Sequence, residues 1–237
     1  MTSPTPSARQ ALIVAHGQPS DPEGPEAEIA ALARRVGGHL PGWTVRGTTL
    51  AMPGGIARAA RGMAGPLVFP FFMADGWFIR TLLPERLAQA GLAGARVLTP
   101  FGLLPETEAL AIRVVDEALA ARGWRAGEVT LVLAAHGSGR SRKPAEAAGA
   151  MRAALAGARA FAEVRLGFIE EPPFVAEALA RAGGRAILLP LFVARWGHVG
   201  TDLPEAVAQS GFPGPVLAPL GTDAAVAGIV AGAIAAG

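Results

Sequence analysis

Leu12-Ile13-Val14-Ala15-His16-Gly17 and Leu131-Val132-Leu133-Ala134-Ala135-His136-Gly137 are one phrase written twice, with their histidines 120 positions apart. An apolar run closed by His-Gly reads as a buried strand ending in a turn. Outward from it, three further anchors recur in the same order. Pro70-Phe71-Phe72 leading to Leu83-Pro84-Glu85 returns 120 positions later as Pro190-Leu191-Phe192 leading to Leu203-Pro204-Glu205. Val45-Arg46 through Pro53 returns as Val164-Arg165 through Pro172, and Pro100-Phe101-Gly102 as Pro219-Leu220-Gly221, both at an offset of 119. Ordered self-similarity of this kind marks an internal duplication. The expected domains are 1–124 and 125–237, with the seam at Arg122 to Gly127.

Each copy alternates short apolar runs with helical ones. The first copy has strand-like runs at Ala11–Ala15, Trp43–Leu50, Pro66–Phe72 and Ala95–Leu98, and the second at Val129–Ala135, Glu163–Ile169, Ala186–Phe192 and Pro215–Ala218. Between them, Glu26–Val36 places Ile29, Leu32, Ala33 and Val36 on one face before Gly37-Gly38, and Pro105–Ala121 begins acidic and ends near Gly123. Strand, helix, strand in this rhythm implies right-handed crossovers and parallel strands. The predicted fold class is therefore α/β: two tandem doubly wound, flavodoxin- or Rossmann-like domains.

Composition narrows the function classes. A hydrophobic fraction of 51% against 17% charged residues belongs to a chain that folds. The pI of about 10.3 suggests a nucleic-acid binder, yet the formal net charge is only +2. With one lysine (Lys143) and neither tyrosine nor cysteine, little titrates below the arginines, so the pI rises without a strong positive field. Nucleic acid is not an expected partner. The lack of cysteine fits a cytoplasmic protein and leaves metal binding to His, Asp and Glu. The stretch MTSPTPSARQ reads as a polar tail, and Ala224–Gly237 as a buried terminal helix too short to span a membrane.

Open parallel sheets bind ligands at the carboxyl ends of their strands. In the second copy His136 follows the first strand, Glu170 ends the second and His198 lies beyond the third. Two imidazoles and a carboxylate suit a borderline divalent ion with coordination positions left open. Other readings of the same residues stand beside this one: Glu170 and Glu171 as the acidic start of a helix, Gly197-His198 as an ordinary turn. Gly137-Ser138-Gly139-Arg140-Ser141-Arg142-Lys143 reads either as an anion-gripping turn or as a solvated loop. It lacks the glycine spacing of a phosphate-binding or dinucleotide-binding loop. Trp77, Phe78 and Trp196 are either an apolar wall to the site or core.

At these residues the chain resembles the class II tetrapyrrole chelatases, in particular the sirohydrochlorin cobalt- and ferrochelatases. The resemblance rests on Ala135-His136-Gly137-Ser138, on Phe168-Ile169-Glu170-Glu171-Pro172, and on Pro190-Leu191-Phe192 with Gly197-His198 and Asp202-Leu203-Pro204. It covers nearly the whole chain, because two-domain members carry the same duplication. It implies a lyase in which His136 and His198 bind or deliver Co²⁺, Fe²⁺ or Ni²⁺ as substrate and accept pyrrole protons, assisted by Glu170, with no organic cofactor. The tetrapyrrole would lie between the domains, contacted by His16, Trp77, Phe78, Ser138, Arg140 and Arg142, with Arg80, Lys143 and Arg195 as further partners for its carboxylates. The first copy departs from the pattern: His16 is followed by Gln18-Pro19, Ala51 stands at the Glu170 position and Phe78 at that of His198. Its site is degenerate. The chain is expected to act as a monomer or homodimer away from membranes. Two other readings fit the same residues: a metal or tetrapyrrole carrier without turnover, and a phosphate-handling enzyme built on the basic loop.

Overall fold

The computed structural model describes residues 9–237. Most of the amino-terminal tail lies outside them, but its last residues, Arg9 and Gln10, open the first strand. The elements run β1 (Arg9–Ala15), α1 (Glu23–Gly38), β2 (Trp43–Thr49), α2 (Gly55–Ala59), β3 (Leu67–Pro70), α3 (Leu83–Gln89) and α4 (Pro105–Ala120). The second copy repeats them as β4 (Thr130–Ala135), α5 (Lys143–Ala158), β5 (Glu163–Phe168), α6 (Val175–Ala180), β6 (Ala186–Pro190), α7 (Asp202–Ser210) and α8 (Val226–Ala236).

Each copy builds one parallel three-stranded sheet, in the order β2-β1-β3 and β5-β4-β6. The repeated apolar phrase is thus the central strand in both, which is why it carries no polar residue: Ala11–Ala15 and Leu131–Leu133 are fully buried. Ala11 pairs with Val45 on one side and Leu67 on the other; Leu131 pairs in the same way with Val164 and Ile187. Sequential strands on either side of the first create the switch point at which the strand-end loops diverge.

The predicted outer strands shrink to single bridges, Val68 to Val97 and Leu188 to Val216. Leu188 N–H donates to Pro215 O at 2.9 Å and Leu217 N–H to Leu188 O at 2.8 Å. Pro215 and Pro219 bracket this segment and donate no ladder hydrogen bonds, so pairing stops there. Helix α1 also runs longer than the periodicity predicts. It starts at Glu23, passes through Gly37 and Gly38, and stops at His39; propensity alone does not end a helix whose apolar face is packed.

The chain divides into two compact units that do not follow the repeat boundary. The first takes the chain through Phe71, then Phe78–Thr99 and Ala227–Gly237; the second takes Phe72–Trp77 and Pro100–Val226. Nearly all of α8 therefore belongs to the first unit, where Gly237 O accepts a hydrogen bond from Arg96 at 2.6 Å. Helix α4 belongs to the second, where Asp116 takes a two-pronged ion pair from Arg159 at 2.9 and 2.6 Å. On one face of the first sheet Leu12, Val14 and Val68 pack with Ile56, Leu83 and Leu87 of α2 and α3. The matching face of the second packs Val132, Ala134 and Leu188 with Val175, Leu179 and Leu203 of α6 and α7. No helix among the described residues is long and apolar enough to cross a membrane.

Candidate active site

The β4–β5 ladder continues past both strand ends, and this continuation builds the site. Ile169 N–H donates to Ala135 O at 3.0 Å and Glu170 N–H to His136 O at 2.9 Å. His136 and Glu170 are thereby fixed side by side, with Nδ1 of the imidazole 3.6 Å from Oε2 of the carboxylate and both side chains a little under half exposed, at 45% and 43%. Nδ1 also lies 3.2 Å from Gly137 O. A ring protonated at Nδ1 uses that proton locally and leaves the Nε2 lone pair for a metal or a proton.

Gly137 is required by the turn. Its φ is +72°, a left-handed value, and a Cβ there would stand 2.9 Å from Cγ and Oε1 of Glu171. Oε1 of Glu171 accepts the Ser138 N–H at 2.8 Å. Neither Glu170 nor Glu171 opens a helix: α6 begins only at Val175, and its first-turn acid is Glu177. The two acids are spent on the His136 turn instead. The sequence offered only the adjacency Glu170-Glu171 at a strand end as a sign of this.

His198 stands in a 3₁₀ turn, Gly197–Val199, after β6; its side chain lies outside the described residues. Among those residues no three His, Asp or Glu side chains group to hold a metal ion. The structure brings His136 and Glu170 together. Thr201 Oγ1 spans from Asp202 Oδ1, 2.7 Å away, to Gly197 O at 3.4 Å, joining the turn to the start of α7. An open cleft of about 410 Å³ borders this turn, lined by Arg195, Val199, Gly200, Leu203, Val207 and Val216 among others.

The basic loop runs directly into α5. Lys143, its third cation, pairs with Glu146 at 2.9 Å, and that hydrogen bond holds the Glu146 carboxyl below its usual range. Arg140 and Arg142 are exposed and make no ion pair among the described residues. Small-residue contacts shape the loop: Arg140 N–H donates to Ser138 Oγ at 3.2 Å and Lys143 N–H to Ser141 Oγ at 3.3 Å.

The first copy reproduces the backbone at the end of its central strand and not the chemistry. Ala51 N–H donates to His16 O at 2.9 Å, as Glu170 N–H does to His136 O, which places Ala51 at the Glu170 position. The His16 ring, with Nδ1 2.8 Å from Gly17 O, meets Phe78 edge to face at 4.2 Å and 80°. Phe78 opens a π-helical turn, Phe78–Leu82, where the second copy has the 3₁₀ turn. At the end of β2, beside the His16-Gly17 turn, Glu26 of α1 is engaged by Thr48 Oγ1 at 2.8 Å and Thr49 N–H at 2.7 Å. Trp77 and Phe78 are exposed, at 54% and 38%, so neither is core.

Comparison with known proteins gives the family and the fold. The CbiX family model matches residues 130–236, the second copy. The solved structure of CbiX, described as the terminal enzyme for biosynthesis of siroheme in denitrifying bacteria, is 48% identical and superposes with a TM-score of 0.89 over 96% of this chain and 99% of its own. The chain belongs to the CbiX family of class II chelatases. A multi-domain protein of Deinococcus radiodurans with structural similarity to chelatases matches at 24% identity and TM-score 0.70, over 97% of this chain and 55% of its own. SirB from Bacillus subtilis, in a structure with Fe³⁺, matches at 15% identity and TM-score 0.74, over 96% and 94%. These last two share the fold. No curated protein matches the chain.

Proposed function

We propose that this protein is a cytoplasmic lyase that inserts a divalent ion, Co²⁺ or Fe²⁺, into sirohydrochlorin or a related tetrapyrrole on the way to siroheme or cobalamin. The observation that carries the proposal is the His136–Glu170 pair, 3.6 Å apart at the carboxyl ends of β4 and β5; membership of the CbiX family supports it. Insertion releases two pyrrole protons, strips water from the metal and bends the ring. Imidazole and carboxylate are suitable proton acceptors near neutral pH. In this reading His136 and His198 take the incoming ion, Glu170 assists proton removal, and the ion leaves into the macrocycle through its open coordination positions. Arg140 and Arg142 hold carboxylates of the tetrapyrrole, and Ser138 lies at the start of the same loop. His16, Trp77 and Phe78 contact the ring from the degenerate 1–124 copy, while 125–237 carries the metal.

The test is direct. Purified protein is incubated with sirohydrochlorin and Co²⁺, Fe²⁺ or Ni²⁺ while the macrocycle absorbance is followed. The expected result is catalytic conversion to the metallated spectrum with one ion favoured. Stoichiometric binding with no turnover contradicts the proposal and identifies a carrier.

A further inference from the structure

We propose that Glu171 is the positioning residue of this site, holding the His136 turn in place through the backbone N–H of Ser138. The inference rests on the chelatase reading only for its kinetic consequence. The two consecutive carboxylates after β5 divide their work on one turn. Glu170 stands 3.6 Å from the His136 imidazole; Glu171 stands 2.8 Å from Ser138 N, two residues further on. With Glu170 N–H donating to His136 O at 2.9 Å, the turn is gripped at both of its ends by the same strand end. Gly137, between the grips, is the residue whose missing Cβ lets Glu171 approach, since a Cβ would fall 2.9 Å from the carboxylate's Oε1.

A carboxylate accepting a backbone N–H makes a charge-assisted hydrogen bond, stronger than a neutral one. Pinning both ends fixes the direction of the His136 side chain relative to Glu170, and partners of this sort typically alter metal affinity or activity by about 10–100-fold when removed. The first copy supplies the contrast. Met52 occupies the Glu171 position, and the missing Cβ of Gly17 faces Thr49 and Ala51 instead. The acid there, Glu26, reaches Thr49 from α1. A carboxylate grip on the histidine turn from the neighbouring strand end belongs to the second copy, the one that keeps Glu170.

Glu171 as a positioning residue differs measurably from Glu171 as a metal ligand. Glutamine keeps an oxygen that accepts the Ser138 N–H but loses the charge a metal needs. Glu171→Ala and Glu171→Gln are compared with the wild type by Co²⁺ titration, by kcat and KM for the tetrapyrrole, and by amide exchange at Ser138. Glu171→Ala is expected to lower kcat and Co²⁺ affinity by about 10–100-fold with KM nearly unchanged, and to speed Ser138 exchange. Glu171→Gln is expected to recover to within about threefold of wild type in all of these. Glu171→Ala indistinguishable from wild type, or Glu171→Gln as impaired as Glu171→Ala, overturns the proposal. If the wild type itself inserts no metal, the chelatase reading falls while Co²⁺ affinity and Ser138 exchange still decide the role of Glu171.

Discussion

The two copies share a backbone and differ in what they place on it. At the end of the central strand each has a histidine whose carbonyl accepts an N–H from the neighbouring strand end, from Ala51 in the first and Glu170 in the second. In the second copy that donor brings a carboxylate to the imidazole. In the first it brings a methyl group, and the His16 ring meets the edge or face of Phe78. The difference teaches that duplication preserves the hydrogen-bonded frame because it holds the sheet together, while side chains projecting from the frame are free to change.

The comparison is broken most readily at the histidine. His136→Ala is expected to lower metal insertion by about 10²–10⁴-fold, as is His198→Ala. Thermal unfolding of the His136 variant should stay close to wild type, because an exposed side chain contributes little packing. Wild-type turnover in a folded His136→Ala protein contradicts the assignment. Glu170→Gln comes next, with a rate loss of about 10–100-fold and a smaller loss of Co²⁺ affinity, read by titration beside the kinetics. Equal losses in both would make Glu170 a ligand first and a proton acceptor second.

Smaller effects sharpen the contrast. Arg140→Ala and Arg142→Ala should each raise KM by roughly 3–10-fold, with the effect shrinking as salt is added because exposed charges are screened. Co²⁺ affinity should not move, and a salt-independent change would return the loop to a solvated role. In the first copy, Phe78→Ala is expected to weaken the tetrapyrrole by about threefold, the scale of one aromatic contact, and to leave Co²⁺ binding untouched. A loss of metal affinity there would place Phe78's neighbourhood in the metal site and erase the distinction between the copies.

Much of this frame was legible in the residues. Buried parallel strands need unbroken apolar runs, so the duplicated phrase announced a central strand twice, and position at a strand end singled out His136 and Glu170. What escaped depends on contacts remote in sequence or on side-chain choices. The assignment of α4 and α8 to units on the far side of the repeat boundary leaves no local trace, since an apolar helix face does not name its partner. The outer runs Ala95–Leu98 and Pro215–Ala218 read as strands because Val97 and Val216 sit among apolar residues, yet only one bridge forms in each. Glu171 looked like a helix-opening acid beside Glu170; only the left-handed turn at Gly137 turns its carboxylate into a clamp on Ser138. Lys143 read as a third substrate cation; its pairing with Glu146, one helical turn on, was not read from the sequence.

The central claim, that one copy holds the metal and the other does not, is tested most directly by counting. Titration of the purified chain with Co²⁺, followed by calorimetry or by cobalt absorbance, should saturate at one tight site per chain. That site should vanish in His136→Ala and persist in His16→Ala. Two equivalent sites per chain, or a tight site that depends on His16 and survives loss of His136, would contradict the account.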